Sequence, residues 1–197
     1  MSRSLVLLAT HFLPALLCLA NPARADDDAW FEPERSENTA YFAPKLKFST
    51  VNDRLALWPG ARIGWALGSV LTAGFEGYIL ANEVYAAHSD TDHLSMAVAG
   101  VVFEAIPSPK RRTHMVLSLL IGGGGAQVGG DTDLDTLSEH GFTVLEPGIS
   151  LEFNLTRKIR ISPGVSYLWI SGTVPGVDSK WDASERAFNL TLRFRDP

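Results

Sequence analysis

The sequence has a single cysteine among its 197 residues, Cys18. It lies inside the apolar N-terminal run, so a mature chain cut after that run contains no cysteine and no disulfide. A lipoprotein would place its cysteine after a small residue. Here Leu17 precedes it, which speaks against a lipid anchor at this point. Beyond the N-terminal run no stretch of about 18 apolar residues occurs, so no transmembrane helix is expected. Basic residues are also in short supply. Lys and Arg number 17 against 22 Asp and Glu, a net charge of −5, and no basic stripe stands out, so no nucleic-acid partner is expected. With 46% hydrophobic and 20% charged residues the chain is neither disordered in composition nor a helical membrane protein.

What is present begins with a signal peptide pattern over residues 1–25. Arg3 supplies the positive start, and Leu5 to Ala20 form the apolar stretch. Ala23-Arg24-Ala25 has the small-x-small form of a cleavage site, and Asp26-Asp27-Asp28 follow. Pro14 and that cleavage pattern argue against an uncleaved anchor. Residues 26–38 read as a polar N-terminal lead, and residues 39–197 as one domain without a compositional break.

That domain consists of repeated segments of about ten residues in which apolar and polar residues alternate, the period of a strand. The last segment is the clearest: Phe188, Leu190, Leu192 and Phe194 share one face, and Asn189, Thr191 and Arg193 the other. The same alternation runs through 145–155, 160–169, 41–51, 55–67 and 70–80. In 94–106 the phase is ambiguous. If Glu104 points inward, Ala97, Ala99, Val101, Phe103 and Ala105 point outward. In 113–123, Met115, Leu117, Leu119 and Ile121 oppose His114, Val116, Ser118 and Leu120. Eight strands result. The connections at 52–54, 68–69, 107–112 and 156–158 are short, and those at 81–93, 129–141 and 172–184 are long. With the first strand running outward from the periplasm, every long connection falls outside, as in outer-membrane barrels. The expected fold is all-β: an eight-stranded antiparallel up-and-down transmembrane β-barrel.

In such a barrel the apolar face meets lipid and the polar face lines the lumen. The inward charges are Lys45, Lys47, Arg62, Arg160 and Arg193 against Glu76, Glu104, Glu146 and Glu152. Eight strands leave an interior that side chains fill, with the glycines at 60, 64, 74, 148 and 164 relieving the crowding. Buried charges are costly unless paired, so these nine residues are expected to form a salt-bridged plug, joined by His114, rather than an aqueous pore. Paired carboxylates also suit acid–base catalysis, but no nucleophile sits among them. Trp58, Trp65, Trp169, Tyr41, Tyr167 and Phe42 lie toward strand ends and are expected on the outward face, as interfacial girdles.

Other candidate chemistry is thin, and no catalytic residue, cofactor or metal is assigned. Gly122-Gly123-Gly124-Gly125 lacks the Gly-Lys-Ser/Thr and the helix of a phosphate loop, and reads as a close-packed or kinked strand end. Asp131, Asp133 and Asp135 lack the glycine and distal glutamate of a calcium loop. His88, Asp90, Asp92 and His93 are loosely spaced for a metal. Only His88, His93 and Ser95 lie near a plausible rim for a lipid-modifying histidine–serine pair, and no motif links them.

The apparent signal, the eight alternating segments, the glycine-rich inward faces and the amphipathic last strand resemble the OmpA/OmpX-like superfamily of small outer-membrane β-barrels. Tyr41-Phe42-Ala43-Pro44-Lys45-Leu46-Lys47, Asn52-Asp53 and Gly60-Ala61-Arg62-Ile63-Gly64-Trp65 are similar to small barrel proteins with a "GGR-GGW" motif in the second strand. The resemblance spans most of 40–195 and implies a fold and an outer-membrane location. It carries no active site. It also implies lipid and the barrel-assembly machinery as partners. Such barrels commonly end on an aromatic residue that this machinery reads, and here Phe194 is followed by Arg195-Asp196-Pro197. The expected role is structural or surface interaction, with the long loops turned to an extracellular ligand. The alternatives are an outer-membrane lipid-modifying enzyme, or a soluble periplasmic lipocalin-like barrel with an apolar inside and a polar outside.

Overall fold

The structure, a computed structural model, describes residues 39–51, 54–82, 84–85, 93–108, 112–129, 140–156, 158–172 and 185–195. The expected signal peptide (1–25), the polar lead (26–38) and most of the three long connections lie outside the described residues.

Eight long strands make up the domain: β1 (Ala40–Val51), β2 (Arg54–Leu67), β3 (Leu71–Ile79), β5 (His93–Ala105), β6 (Thr113–Gly129), β7 (His140–Asn154), β8 (Ile159–Ser171) and β9 (Glu185–Arg195). A two-residue strand, β4 (Val84–Tyr85), pairs with the start of β5. Each long strand pairs antiparallel with its neighbours in the order β3-β2-β1-β9-β8-β7-β6-β5, and the β3–β5 pairing closes the ring. Closure satisfies the backbone of every strand and leaves no open edge. The end where β1 begins is called the base, and the opposite end the rim.

Alternation decides which side chains fill the barrel. On β9, Ala187, Asn189, Thr191 and Arg193 are buried, while Phe188, Leu190 and Phe194 are exposed. On β5 the ambiguous phase resolves with Glu104 inward and Val101 and Phe103 exposed. Outside, Phe42, Ile63, Phe75, Phe103, Ile121, Leu151, Val165 and Phe188 stand exposed around the wall. A lipocalin-like soluble barrel needs a polar exterior, and this exterior is its opposite.

Three expectations are corrected. Trp58 and Tyr41 face the lumen rather than an outer girdle, at 2% and 5% exposure. Stepping by twos from Arg62 reaches Trp58, and from Lys45 reaches Tyr41, so strand phase outweighs position near a strand end. Trp65 and Phe42 do point outward, at about half exposure.

The glycine run 122–125 is not a strand end. It lies within β6, paired with Gly100 to Ala97 on β5 and with Val144 to Gly141 on β7. Glycine has no side chain to mark alternation, but ladder bonding needs only the backbone. A Cβ on Gly122 would come within 2.6 Å of Gly100 Cα, so the pair allows the two strands to approach closely.

The connection expected at 81–93 is shortened by β4. Ile79 pairs with Ala97 but Val84 pairs with Leu94, so the chain bulges at Leu80, Ala81 and Asn82 opposite Ser95 and Met96 of β5. The bulge keeps its bonds to both sides. Leu80 N–H donates to Met96 O (2.9 Å), and Ala81 N–H donates to Leu57 O (2.9 Å). The Asn82 side chain substitutes for a strand residue, accepting from Leu57 N–H and donating to Leu55 O, each at 2.7 Å.

Candidate functional site: a charged lumen beneath an apolar rim

The nine inward charges converge from seven strands: Lys45 and Lys47 from β1, Arg62 from β2, Glu76 from β3, Glu104 from β5, Glu146 and Glu152 from β7, Arg160 from β8 and Arg193 from β9. All are buried. The structure joins seven of them in one bonded network at the base and middle of the lumen, with Lys47 and Glu146 paired with each other above it.

Near the base, Glu152 takes Arg160 Nη1 at 2.7 Å, His114 Nε2 at 3.0 Å and the Ser162 hydroxyl at 3.3 Å. Arg193 links Glu152 (3.4 Å) to Glu104, which it meets with Nη2 at 2.7 and 2.8 Å. Glu104 also accepts from Tyr41 OH (2.9 Å), Thr72 Oγ1 (2.7 Å) and Arg62. Arg62 spans from Glu104 to Glu76, and Lys45 Nζ closes on Glu76 at 2.6 Å. Higher up, Lys47 Nζ pairs with Glu146 at 2.6 Å, and Glu146 accepts from Tyr78 OH (2.7 Å) and Ser166 Oγ (2.6 Å). Asn189 Nδ2 donates to Ser166 Oγ at 2.8 Å.

Every carboxylate is thus held by two or more donors, which is what a desolvated charge requires. Glycine makes room for the larger members: a Cβ on Gly64 would come within 2.7 Å of the Tyr41 ring. Arg193 lies over that ring, 4.3 Å from its centroid. Chemically, this is a set of fixed charges without a nucleophile among them. Among the described residues no group of three or more His, Cys, Asp or Glu side chains is arranged to hold a metal.

Tyr78 marks the top of the network. Its hydroxyl bonds Glu146, Lys47 sits 3.4 Å above its ring, and Trp58 packs edge-on to it at 5.8 Å. Trp58 Nε1 donates to Ser49 Oγ at 2.9 Å. Toward the rim the lumen becomes apolar. Val84, Leu94, Met96, Ala126, Phe142, Val144, Leu168 and Ile170 form one buried cluster with Trp58 and Tyr78. Sequence reasoning missed this zone. Its signal was present: Leu168 is an apolar residue on an otherwise polar face, and segment 94–106 is apolar in both phases.

His93 and Ser95 do not join the network. They share the outward phase of β5, where the His93 ring stacks on Tyr85 with centroids 4.9 Å apart. Ser95 borders an open recess of about 680 Å³ near the rim, together with Ile79, Ala97, Gly125, Gln127 and Gly141. His88, Asp90 and Asp92, and Asp131, Asp133 and Asp135, lie outside the described residues.

No protein-family model matches the sequence, and no curated protein is significantly similar to it. Solved structures are similar in fold. Neisserial surface protein A aligns with a TM-score of 0.58 and 15% identity over 81% of this chain and 96% of its own. The N-terminal β-barrel domain of Pseudomonas aeruginosa OprF aligns at 0.54 and 12% identity, over 81% and 98%. Ail, the attachment invasion locus protein of Yersinia pestis, in complex with the heparin analogue sucrose octasulfate, aligns at 0.52 and 12% identity, over 82% and 100%. The fold is that of the small, OmpA/OmpX-like eight-stranded outer-membrane barrels.

Proposed function

We propose that this chain is an outer-membrane barrel with a closed lumen that works through its three long outward connections, as a surface-interaction protein. One observation carries the reading: an apolar exterior encloses an interior blocked by paired charges below and by packed apolar side chains above. Such an exterior is stable against lipid, and such an interior offers no continuous water path. That leaves the connections as the accessible working surface. Their sequence is acidic, with Glu83, Asp90, Asp92, Asp131, Asp133, Asp135, Glu139, Asp178 and Asp182 against Lys180. A cationic partner fits this surface. The sulfated ligand named for Ail carries the opposite charge and does not.

Fractionation with heat-modifiable gel migration tests the location, and planar-bilayer recording tests the closed lumen. The expected outcome is a detergent-extracted outer-membrane protein whose migration shifts on boiling and which conducts no steady current. Recovery as a soluble protein without detergent would overturn the reading. Replacing 130–139 with a Gly/Ser segment is expected to leave the barrel intact and to weaken adsorption to a cationic surface.

A second reading, an outer-membrane lipid-modifying enzyme, draws on Ser95 beside the rim recess with His93 in the same outward phase. Comparing lipid A from cells expressing the native chain, the Ser95→Ala variant and none tests it. Identical profiles in all three end it.

A further inference from the structure

The buried lumen holds five cations against four carboxylates among the described residues. The surplus can be placed. Lys47 has Glu146 to itself, and Arg160 has Glu152 as its partner. Lys45, Arg62 and Arg193 are left to share Glu76 and Glu104, with Arg193 only reaching toward Glu152 at 3.4 Å. An uncompensated charge in a desolvated interior is strongly unfavourable.

These same three cations line a small lumen cavity of about 20 Å³, with the Glu104 carboxylate and with Ser118, Asn189 and Thr191 also on its walls. Its size suits one water or one small ion. Arg193, 2% exposed, has Nε without a partner and Nη1 reaching only Glu152 at 3.4 Å, and Asn189 Oδ1 is also without a hydrogen bond. Buried donors of this kind are nearly always satisfied.

We propose that this cavity is a binding site for a single small inorganic anion of chloride size. Arg193 and Lys45 supply the charge, and the Ser118 and Thr191 hydroxyls supply further donors. The anion balances the lumen and gives the unpartnered Arg193 Nε an acceptor. Two lining groups favour water instead, the Glu104 carboxylate and the acceptor Asn189 Oδ1, and the experiment separates water from anion.

The test uses the full chain purified in detergent. Crystals soaked in bromide are measured at the bromine edge, and urea unfolding is followed in sodium bromide, sodium chloride and sodium gluconate at equal ionic strength. An anomalous peak between Arg193 and Lys45 is expected, with a higher unfolding midpoint in the halides than in gluconate. Thr191→Asp places a carboxylate opposite its cross-strand partner Lys45. It is expected to abolish both the peak and the halide dependence. Lys45→Gln removes the surplus cation and is expected to do the same, which keeps the test open if the first variant fails to fold. A native lumen that shows water only, equal midpoints in all three salts, or a peak that persists in either folded variant would overturn the proposal.

Discussion

At the base of the lumen Glu104 accepts from Tyr41, Thr72, Arg62 and Arg193, each from a different strand. At the rim the same cross-section is filled by Trp58, Phe142, Leu168 and Ile170, which contribute area rather than directed bonds. Both regions close the barrel, but they should respond differently to damage. A charge network fails when one member is lost, because the partners left behind are buried ions. An apolar cluster loses only the buried surface of the group removed, plus the cavity it leaves.

The largest expected effect is at the base. Glu104→Leu takes from Arg193 its closest carboxylate and from Arg62 one of its two, and should cost about 3–5 kcal/mol, measured by urea unfolding in detergent or lipid vesicles. Next comes the outer wall. Phe75 is exposed at mid-strand on β3, and Phe75→Arg should cost about 2–4 kcal/mol in vesicles if that face meets the bilayer midplane. The same substitution should cost little if the face meets water, so it also tests the membrane reading. Leu168→Ala, at the rim, should cost about 2–3 kcal/mol, toward the low end for a large-to-small change. A loss equal to that of Glu104→Leu would erase the contrast between the two zones.

The smallest effect is a difference between variants. Glu146→Leu alone leaves Lys47 buried without its carboxylate. Adding Lys47→Met removes that charge and extends the apolar zone downward by one layer. The double variant should be at least about 1 kcal/mol more stable than Glu146→Leu alone, even though Tyr78 and Ser166 still lose their acceptor. A double variant less stable than the single one would show that Lys47 contributes chiefly through the Tyr78 ring.

Much of this plan was legible in the sequence, because a strand's period of two ties each residue's face to its neighbours. Phe188 to Phe194 and the opposing Asn189 to Arg193 need no partner to be sorted. The nine lumen charges stood out because each interrupts a run of small or apolar residues at the inward phase. Reading failed where that marker is absent. Gly122 to Gly125 carry no side chain that alternates, and Leu94, Met96 and Val98 are inward yet have apolar outward neighbours in Ala97 and Ala99. Trp58 and Tyr41 were misplaced when position near a strand end was given more weight than phase.

By itself, then, the sequence determined the number of strands, their alternation and the identity of the inward charges, all properties of local spacing along one chain. Which charge meets which was decided only by the closed ring. Glu104 and Arg193 lie 89 residues apart, and Lys47 and Glu146 lie 99 apart. The register of the intervening strands sets their height in the lumen, and the β3–β5 pairing completes the enclosure. The division into a charged base and an apolar rim likewise exists only once the strands share a common axis, because each strand alone contributes no more than two or three residues to either zone.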